Sequence, residues 1–539
     1  MTHVLVYLLV AVAVIVLAEV VADRSGLPVA ALLTVSGLIY AALPGPNLEL
    51  DPEVVLTFLL PPLLYSAALN SSLSAIRTNL RAVISLSVVL VLVTALLVGV
   101  GVSLVVPGLG LAAAVALGAA VAPPDPVAAL SIGRKAGLPP RLITLIEGEG
   151  LLNDATALTT FAVAVTAATT GGFSYGSATV DFLAAAAGGV FVGVSVALLV
   201  RLLRRYVSDP LMLNAISLAT PFLAYLLGEE VHVSGVLAVV IAGLVVGHDT
   251  PRLVSGASRL QTSAVWRLVD FLLEGAVFLL IGMQLPLIVR DLNQYPVSTI
   301  VGASVVTVAL VLLIRPAWLV LTQWLPRRLR TRLGGSGSGG EQRLGGREVL
   351  VLSWAGTRGV ITLAAIFSLP LLTQAGEPFP DRSLLLFCAY LVVLVTLVGQ
   401  GVTFAPLVRL TGLRADVTGA ALLRNEARAA AAQAGLVRLN QLDADDQVPA
   451  DIMEGSRANL RRRLARYRKR VDLLESAEDG ELPISPAYEA GLRARRAVID
   501  AQRAEILRWR DAGRLSDLDL RALQRELDHE EDILPHRDR

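Results

Sequence analysis

The chain holds about thirteen stretches of roughly 20 mostly apolar residues, the length a helix needs to cross the ~30 Å hydrocarbon core of a bilayer. They lie near 3–22, 27–43, 53–69, 82–106, 111–133, 142–168, 178–200, 211–228, 233–247, 264–288, 297–325, 348–372 and 383–410. In lipid a backbone must satisfy its own hydrogen bonds, and runs of this length do so as helices. The expectation is an all-α polytopic membrane protein. Composition agrees: 54% of residues are hydrophobic and 17% charged, far from the balance of a soluble domain. The first stretch has no basic leader and no small-residue cleavage site, so it reads as a span and not as a signal peptide. The single cysteine, Cys388, excludes an intrachain disulfide.

Lysine and arginine collect in the cytoplasmic loops of membrane proteins. Arg24; Arg77 and Arg81; Arg134, Lys135 and Arg141; Arg201, Arg204 and Arg205; Arg252 and Arg259; and Arg327, Arg328 and Arg330 fall in alternate loops, and the loops between carry almost none. Arg290 and Arg382 are exceptions, each beside an aspartate. An odd span count with this alternation predicts an outside N-terminus and a cytoplasmic C-terminus in the plasma (inner) membrane. The net charge of +1 conceals sparse charge before about Arg414 and dense charge after it. That asymmetry follows from embedded and aqueous parts and gives no sign of a nucleic-acid partner.

The domain reading is therefore a membrane region, 1–414, and a cytoplasmic helical tail, 415–539. A Gly/Ser-rich connector at 331–347 has no reason to fold. Within the tail, 456–470 is strongly basic; it reads as a solvated helix face or a dimer contact, with anionic lipid head groups as the other possibility.

An ionisable group in the bilayer costs at least about 2.5–3.5 kcal/mol at a helix centre, so each one needs a reason. Ala122-Pro123-Pro124-Asp125-Pro126 sits mid-span, and three prolines cannot continue a helix. The span must break there, leaving free carbonyls beside a carboxylate, as at the midplane cation sites of secondary transporters. The plain alternative is a proline kink with a satisfied aspartate. In the next span, Glu147-Gly148-Glu149-Gly150-Leu151-Leu152-Asn153-Asp154 puts Glu149 and Asn153 on one face, with Asp154 about 100° further round. Counted from Arg141, Asp154 lies roughly 20 Å deep. Two carboxylates, Asp125 and Asp154, with an amide between them form a hard-oxygen set for a monovalent cation. Glu147 is shallower. Arg315 and Glu149 lie at matching depths, roughly 15 and 12 Å from their cytoplasmic ends, and are expected to form a structural ion pair. Arg358, in Gly356-Thr357-Arg358-Gly359, marks a second break in the twelfth span. Broken spans five and twelve correspond if the two halves are inverted repeats, which is the sequence pointer to a transport site.

These residues resemble the monovalent cation/proton antiporter family that includes the animal sodium/proton exchangers and the prokaryotic NhaP-type antiporters. The matching segments run Leu60-Pro61-Pro62-Leu63-Leu64, Asp125-Pro126-Val127-Ala128, Glu149-Gly150-Leu151-Leu152-Asn153-Asp154-Ala155, His232-Val233-Ser234-Gly235-Val236-Leu237-Ala238, Phe278-Leu279-Leu280-Ile281-Gly282 and Gly356-Thr357-Arg358-Gly359. The resemblance implies thirteen spans with crossed discontinuous helices, a homodimer and a rocking or elevator motion. It assigns cation and proton binding to Asp154, with Asp125 as helper, Asn153 beside them, Glu149 paired with Arg315, and Thr357 and Arg358 in support. The Asn-Asp order resembles the electroneutral branch. The chain departs from the family pattern at Ser66, where an acid is common, at Pro124, where Thr is common, and at Gly150, where Ser is common; each departure removes a side-chain ligand.

The expected function is exchange of Na+ (or Li+) for H+ across the plasma membrane, serving pH homeostasis, with proton and cation competing for Asp154. The chain is not expected to be an enzyme or to need a cofactor. A K+/H+ antiporter would carry the same residues. An intramembrane aspartyl protease also needs two aspartates on adjacent spans, but the Gly-x-Gly-Asp signature is absent; a channel would show a filter or charged ring.

Overall fold

The computed structural model describes residues 2–43, 52–170, 175–207, 209–290, 292–324, 344–413, 415–444, 450–475 and 486–532. Among these the chain is helical, apart from an isolated bridge between Leu372 and Pro378. Numbered in chain order, the apolar bodies are span 1 (Thr2–Ser25), span 2 (Val29–Ala42), span 3 (Val55–Asn70), span 4 (Leu80–Val105), span 5 (Leu111–Val121 and Pro126–Lys135), span 6 (Pro140–Thr170), span 7 (Tyr175–Tyr206), span 8 (Pro210–Glu230), span 9 (Gly235–Leu253), span 10 (Gly256–Met283), span 11 (Val297–Trp324), span 12 (Gly346–Trp354 and Val360–Phe367) and span 13 (Arg382–Thr411). Among the described residues nine helices are long and apolar enough to cross a bilayer; spans 2, 3, 5 and 12 are the short or broken ones.

Helix starts follow local chemistry. Asp125 and Asp209 each precede a proline, and each side chain accepts a hydrogen bond from the N–H two residues on, at 3.0 Å (Val127) and 3.4 Å (Leu211). Ser234 and Ser255 cap spans 9 and 10. The Ser255 cap starts span 10 eight residues before the expected 264, because hydropathy marks the lipid-crossing stretch and not the cap. Spans 3, 4 and 13 each contain one π-helical turn, Val55–Leu59, Ser85–Val89 and Val395–Gln400, a wound-out geometry that frees backbone groups and that periodicity does not register. Arg382, an exception to the charge alternation, donates to the carbonyls of Leu369 (3.0 Å) and Phe367 (3.1 Å), closing the C-terminal end of the second half of span 12.

Two apolar clusters hold the membrane region together. The larger joins spans 1–6 and 10–13, span 3 through Val55 alone, with small residues such as Ala95, Ala113, Ala116 and Ala120 and larger ones such as Leu363, Leu384 and Tyr390. The smaller joins spans 3, 6, 7, 8 and 9 with Trp266 of span 10, whose ring meets Tyr65 at 5.4 Å.

By internal contacts the chain divides into Met1–Ala415 and Asp416–Arg539. The second unit comprises helices Val417–Ala444, Ala450–Glu475, Pro486–Asp511 and Asp517–Asp532. Ile499 and Leu527 form a small core between the last two, where Arg503 pairs with Asp528 and, at 2.6 Å, with Glu531. The connector expected at 331–347 falls outside the described residues up to 343, as do Arg327, Arg328 and Arg330.

Candidate functional site: two interlocked helix breaks

Span 5 stops at Val121 and restarts at Pro126, and span 12 stops at Trp354 and restarts at Val360. The two interruptions bond to each other. The Asp125 N–H donates to the Thr357 carbonyl (2.7 Å), and the Thr357 hydroxyl donates back to the Asp125 carbonyl (2.9 Å). Arg358 is 3% exposed; its Nε donates to the Val121 carbonyl (2.8 Å), its Nη1 to the Gly356 carbonyl, and its N–H to the hydroxyl of Thr396 in the π-helical turn of span 13 (2.9 Å). Each bond satisfies a carbonyl or N–H that the broken helices cannot satisfy internally, which the bilayer would otherwise charge for. The crossing is tight: a Cβ on Gly359 would collide with the Asp125 carboxylate.

Span 6 passes beside this crossing. Asn153 is fully buried; its Nδ2 donates to the Pro124 carbonyl (2.7 Å), and its Oδ1 has no partner. Asp154, 4% exposed, has neither a hydrogen bond nor an ion pair among the described residues, and it lies within electrostatic reach of Asp125. One oxygen of Asp125 is engaged as the cap of its half-helix. Gly150 lets span 6 approach, because a Cβ there would run into the Pro126 ring; the missing hydroxyl is a packing requirement of this crossing. Pro124 contributes its carbonyl to Asn153 in place of a side chain.

One and a half turns nearer the start of span 6 the chemistry differs. Glu149 and Arg315 are both buried and joined by two parallel hydrogen bonds, the longer 2.9 Å, and Arg315 Nε also donates to the Leu352 carbonyl (2.8 Å). This bidentate pair links spans 6, 11 and 12. Glu147 instead pairs with the exposed Arg134.

Two acids escaped the sequence reading. Asp270 and Glu274 stand one turn apart in span 10; Ser66 of span 3 donates to Asp270 Oδ2 (2.6 Å), and Asp270 Oδ1 is buried without a partner. Glu274 lies within electrostatic reach of Asp270, Asp125 and Glu19. The cost of a bilayer acid was the signal available, and these two lacked only a motif to draw attention. Among the described residues no three His, Cys, Asp or Glu side chains gather, so an ion at the crossing must draw on carbonyls and Asn153 as well as carboxylates.

An all-helical membrane fold with two mutually bonded helix breaks and an unspent buried carboxylate beside them defines a secondary transporter. The sequence profile described as "Sodium/hydrogen exchanger, transmembrane" matches residues 9–410, and the chain belongs to that family. An uncharacterised Na(+)/H(+) exchanger of Mycobacterium tuberculosis is 33% identical over 536 residues, covering 98% of this chain and 95% of its own. The sodium, potassium, lithium and rubidium/H(+) antiporter of Bacillus subtilis is 33% identical over 69% of this chain and 56% of its own, and the Na(+)/H(+) antiporter NhaP of Pseudomonas aeruginosa is 32% identical over 66% and 81%. The sodium proton antiporter MjNhaP1 of Methanocaldococcus jannaschii, solved at pH 8, shares the fold: TM-score 0.61 at 19% identity, over 76% of this chain and 99% of that one. The protein is a multi-pass membrane transporter and not an enzyme, which disposes of the protease reading.

Proposed function

We propose that the protein exchanges Na+ (or Li+) for H+ across the plasma membrane, one for one and without net charge movement, by competition of the two ions for Asp154. The observation that carries this reading is the Asp154 carboxylate itself, buried and without a partner among the described residues, following in sequence an Asn153 whose Oδ1 also has none. A bare carboxylate in low dielectric is expensive, so the occupied forms, proton-bound or cation-bound, are the ones that can change sides. Asn153 in place of a second acid leaves one exchangeable charge at this position, and one cation per proton follows. Asp125, held as a cap, supplies field and orientation; the Thr357 and Arg358 bonds fix the crossing; Glu149 and Arg315 hold spans in register. Competition sets the pH response: acidifying the cation-loading side fills Asp154 with protons and raises the cation KM there.

A K+/H+ exchange reading rests on a specific feature: Ser66, Pro124 and Gly150 leave few side-chain ligands, and the Bacillus relative is named for potassium and rubidium as well as sodium. An N-terminus outside, a cytoplasmic C-terminus and a homodimer complete the proposal.

The test is proton flux in proteoliposomes with an imposed pH gradient, adding Na+, Li+ or K+ in turn. Saturable Na+- or Li+-dependent flux that ignores membrane potential, and is abolished in Asp154→Asn, supports the reading. Saturable K+ flux of equal size selects the second. No cation-dependent flux from folded wild-type protein overturns both.

A further inference from the structure

Away from the crossing, the ends of spans 3, 7, 8, 9 and 10 line a partly open cavity of about 150 Å³. Its lining includes Arg204, Arg259, Thr250, Asn70 and Trp266, and no carboxylate. Arg204 is 8% exposed; it donates from Nη1 to the Thr250 hydroxyl (3.2 Å), and its Nε is buried with no partner. Arg259 donates from Nη1 to the Val254 carbonyl (2.7 Å). Neither guanidinium has an acidic partner among the described residues. The nearby acids are engaged elsewhere: Asp249 pairs with Arg201 at 3.1 Å, and Asp209 caps span 8.

A buried guanidinium without a counter-charge is costly, far more so than the exposed arginines around it. The buried Arg204 and the exposed Arg259 line the same hollow, with hydroxyl and amide groups between, and make a cradle for an anionic tetrahedral oxyanion, since arginine's planar fork matches phosphate oxygens. The cavity holds several water-sized groups, enough for one phosphate. The charge alternation puts these loops on the cytoplasmic side, where both anionic lipid head groups and soluble phosphates are found.

We propose that this cavity is a phosphate-binding site in which Arg204 of span 7 and Arg259 of span 10 clamp one phosphate group, free or carried by a lipid. An occupant would tie these two spans together. It would also sit one step from the buried acids of span 10, because Asn70 donates to the Ser66 carbonyl (3.0 Å) and Ser66 holds Asp270.

The experiment uses the purified full-length protein. Thermal unfolding in detergent is followed with inorganic phosphate against chloride at equal ionic strength, and then after reconstitution in phosphatidylglycerol/phosphatidylcholine against pure phosphatidylcholine vesicles. Wild type is compared with Arg204→Gln, Arg259→Gln and, as a charge-matched control outside the cavity, Arg205→Gln. Saturable stabilisation by phosphate, with apparent affinity weakened at least about tenfold in Arg259→Gln and kept in Arg205→Gln, supports a site for free phosphate. Stabilisation by phosphatidylglycerol vesicles alone, lost in the same variants and kept in the control, assigns the occupant to a lipid head group. If Arg204→Gln fails to fold, the exposed Arg259 decides. Equal responses in Arg205→Gln and the cavity variants, or no response in wild type to either probe, overturn the proposal.

Discussion

Glu149 and Asp154 lie on the same helix, both buried, yet they have opposite circumstances. Glu149 spends both oxygens on Arg315, which in turn is anchored to the Leu352 carbonyl. Asp154 has no hydrogen-bond or ion-pair partner among the described residues. A buried charge that is fully paired has no reason to exchange its partner, since separating the pair exposes two desolvated ions. A buried carboxylate without a partner must take one from solution. The contrast separates a fastening from a carboxylate left open within two turns of helix, and it follows from which groups are within reach and not from residue type.

The sharpest way to break this comparison is to remove each charge in turn. Asp154→Asn should reduce cation-dependent flux to background while leaving the unfolding temperature near wild type; a variant that still transports would move the exchange site elsewhere, Glu274 being the first candidate. Arg315→Gln should do the reverse and cost roughly 3–5 kcal/mol of stability, because it strands Glu149 in a dry interior. The double variant Glu149→Gln/Arg315→Gln should recover most of that loss, as read by thermal unfolding; no recovery would mean that the pair's packing and not its charge is what matters. Gly359→Ala pushes on the Asp125 carboxylate without touching any charge, and flux at saturating Na+ should fall about tenfold with modest change in stability, of the size expected for overpacking. The smallest effect is expected for Ser66→Ala, which removes one hydrogen bond from Asp270, worth about 1 kcal/mol, and should shift the cation KM by about fivefold or less. A Ser66→Ala variant as dead as Asp154→Asn would place Asp270 at the centre of exchange.

What could be read from the chain before its structure follows the same division. Prolines 123, 124 and 126 and glycines 356 and 359 announce both helix breaks, because no helix tolerates that punctuation. Span number was legible because the bilayer imposes a length. The bonds across the breaks were not legible, since Thr357 and Arg358 meet partners more than 230 residues away and spacing carries no such information; the Thr357–Asp125 separation is 232 residues. Thr396 went unnoticed because its role depends on a π-helical turn in an apolar run. Asp270 and Glu274 were visible as bilayer acids, but their neighbours Ser66 and Asp125 come from other spans.

The bonds between the two breaks also bear on how the molecule is made. Residues 122–125 enter the membrane during synthesis long before 355–359 exist, so for that interval the Asp125 N–H, its carbonyl and the Val121 carbonyl lack the partners they have in the finished protein. Unmet polar groups in hydrocarbon draw in water, so the nascent first half must stay locally wet or shallow until span 12 arrives. The crossing beside Asp154 is then among the last features of the fold to be completed.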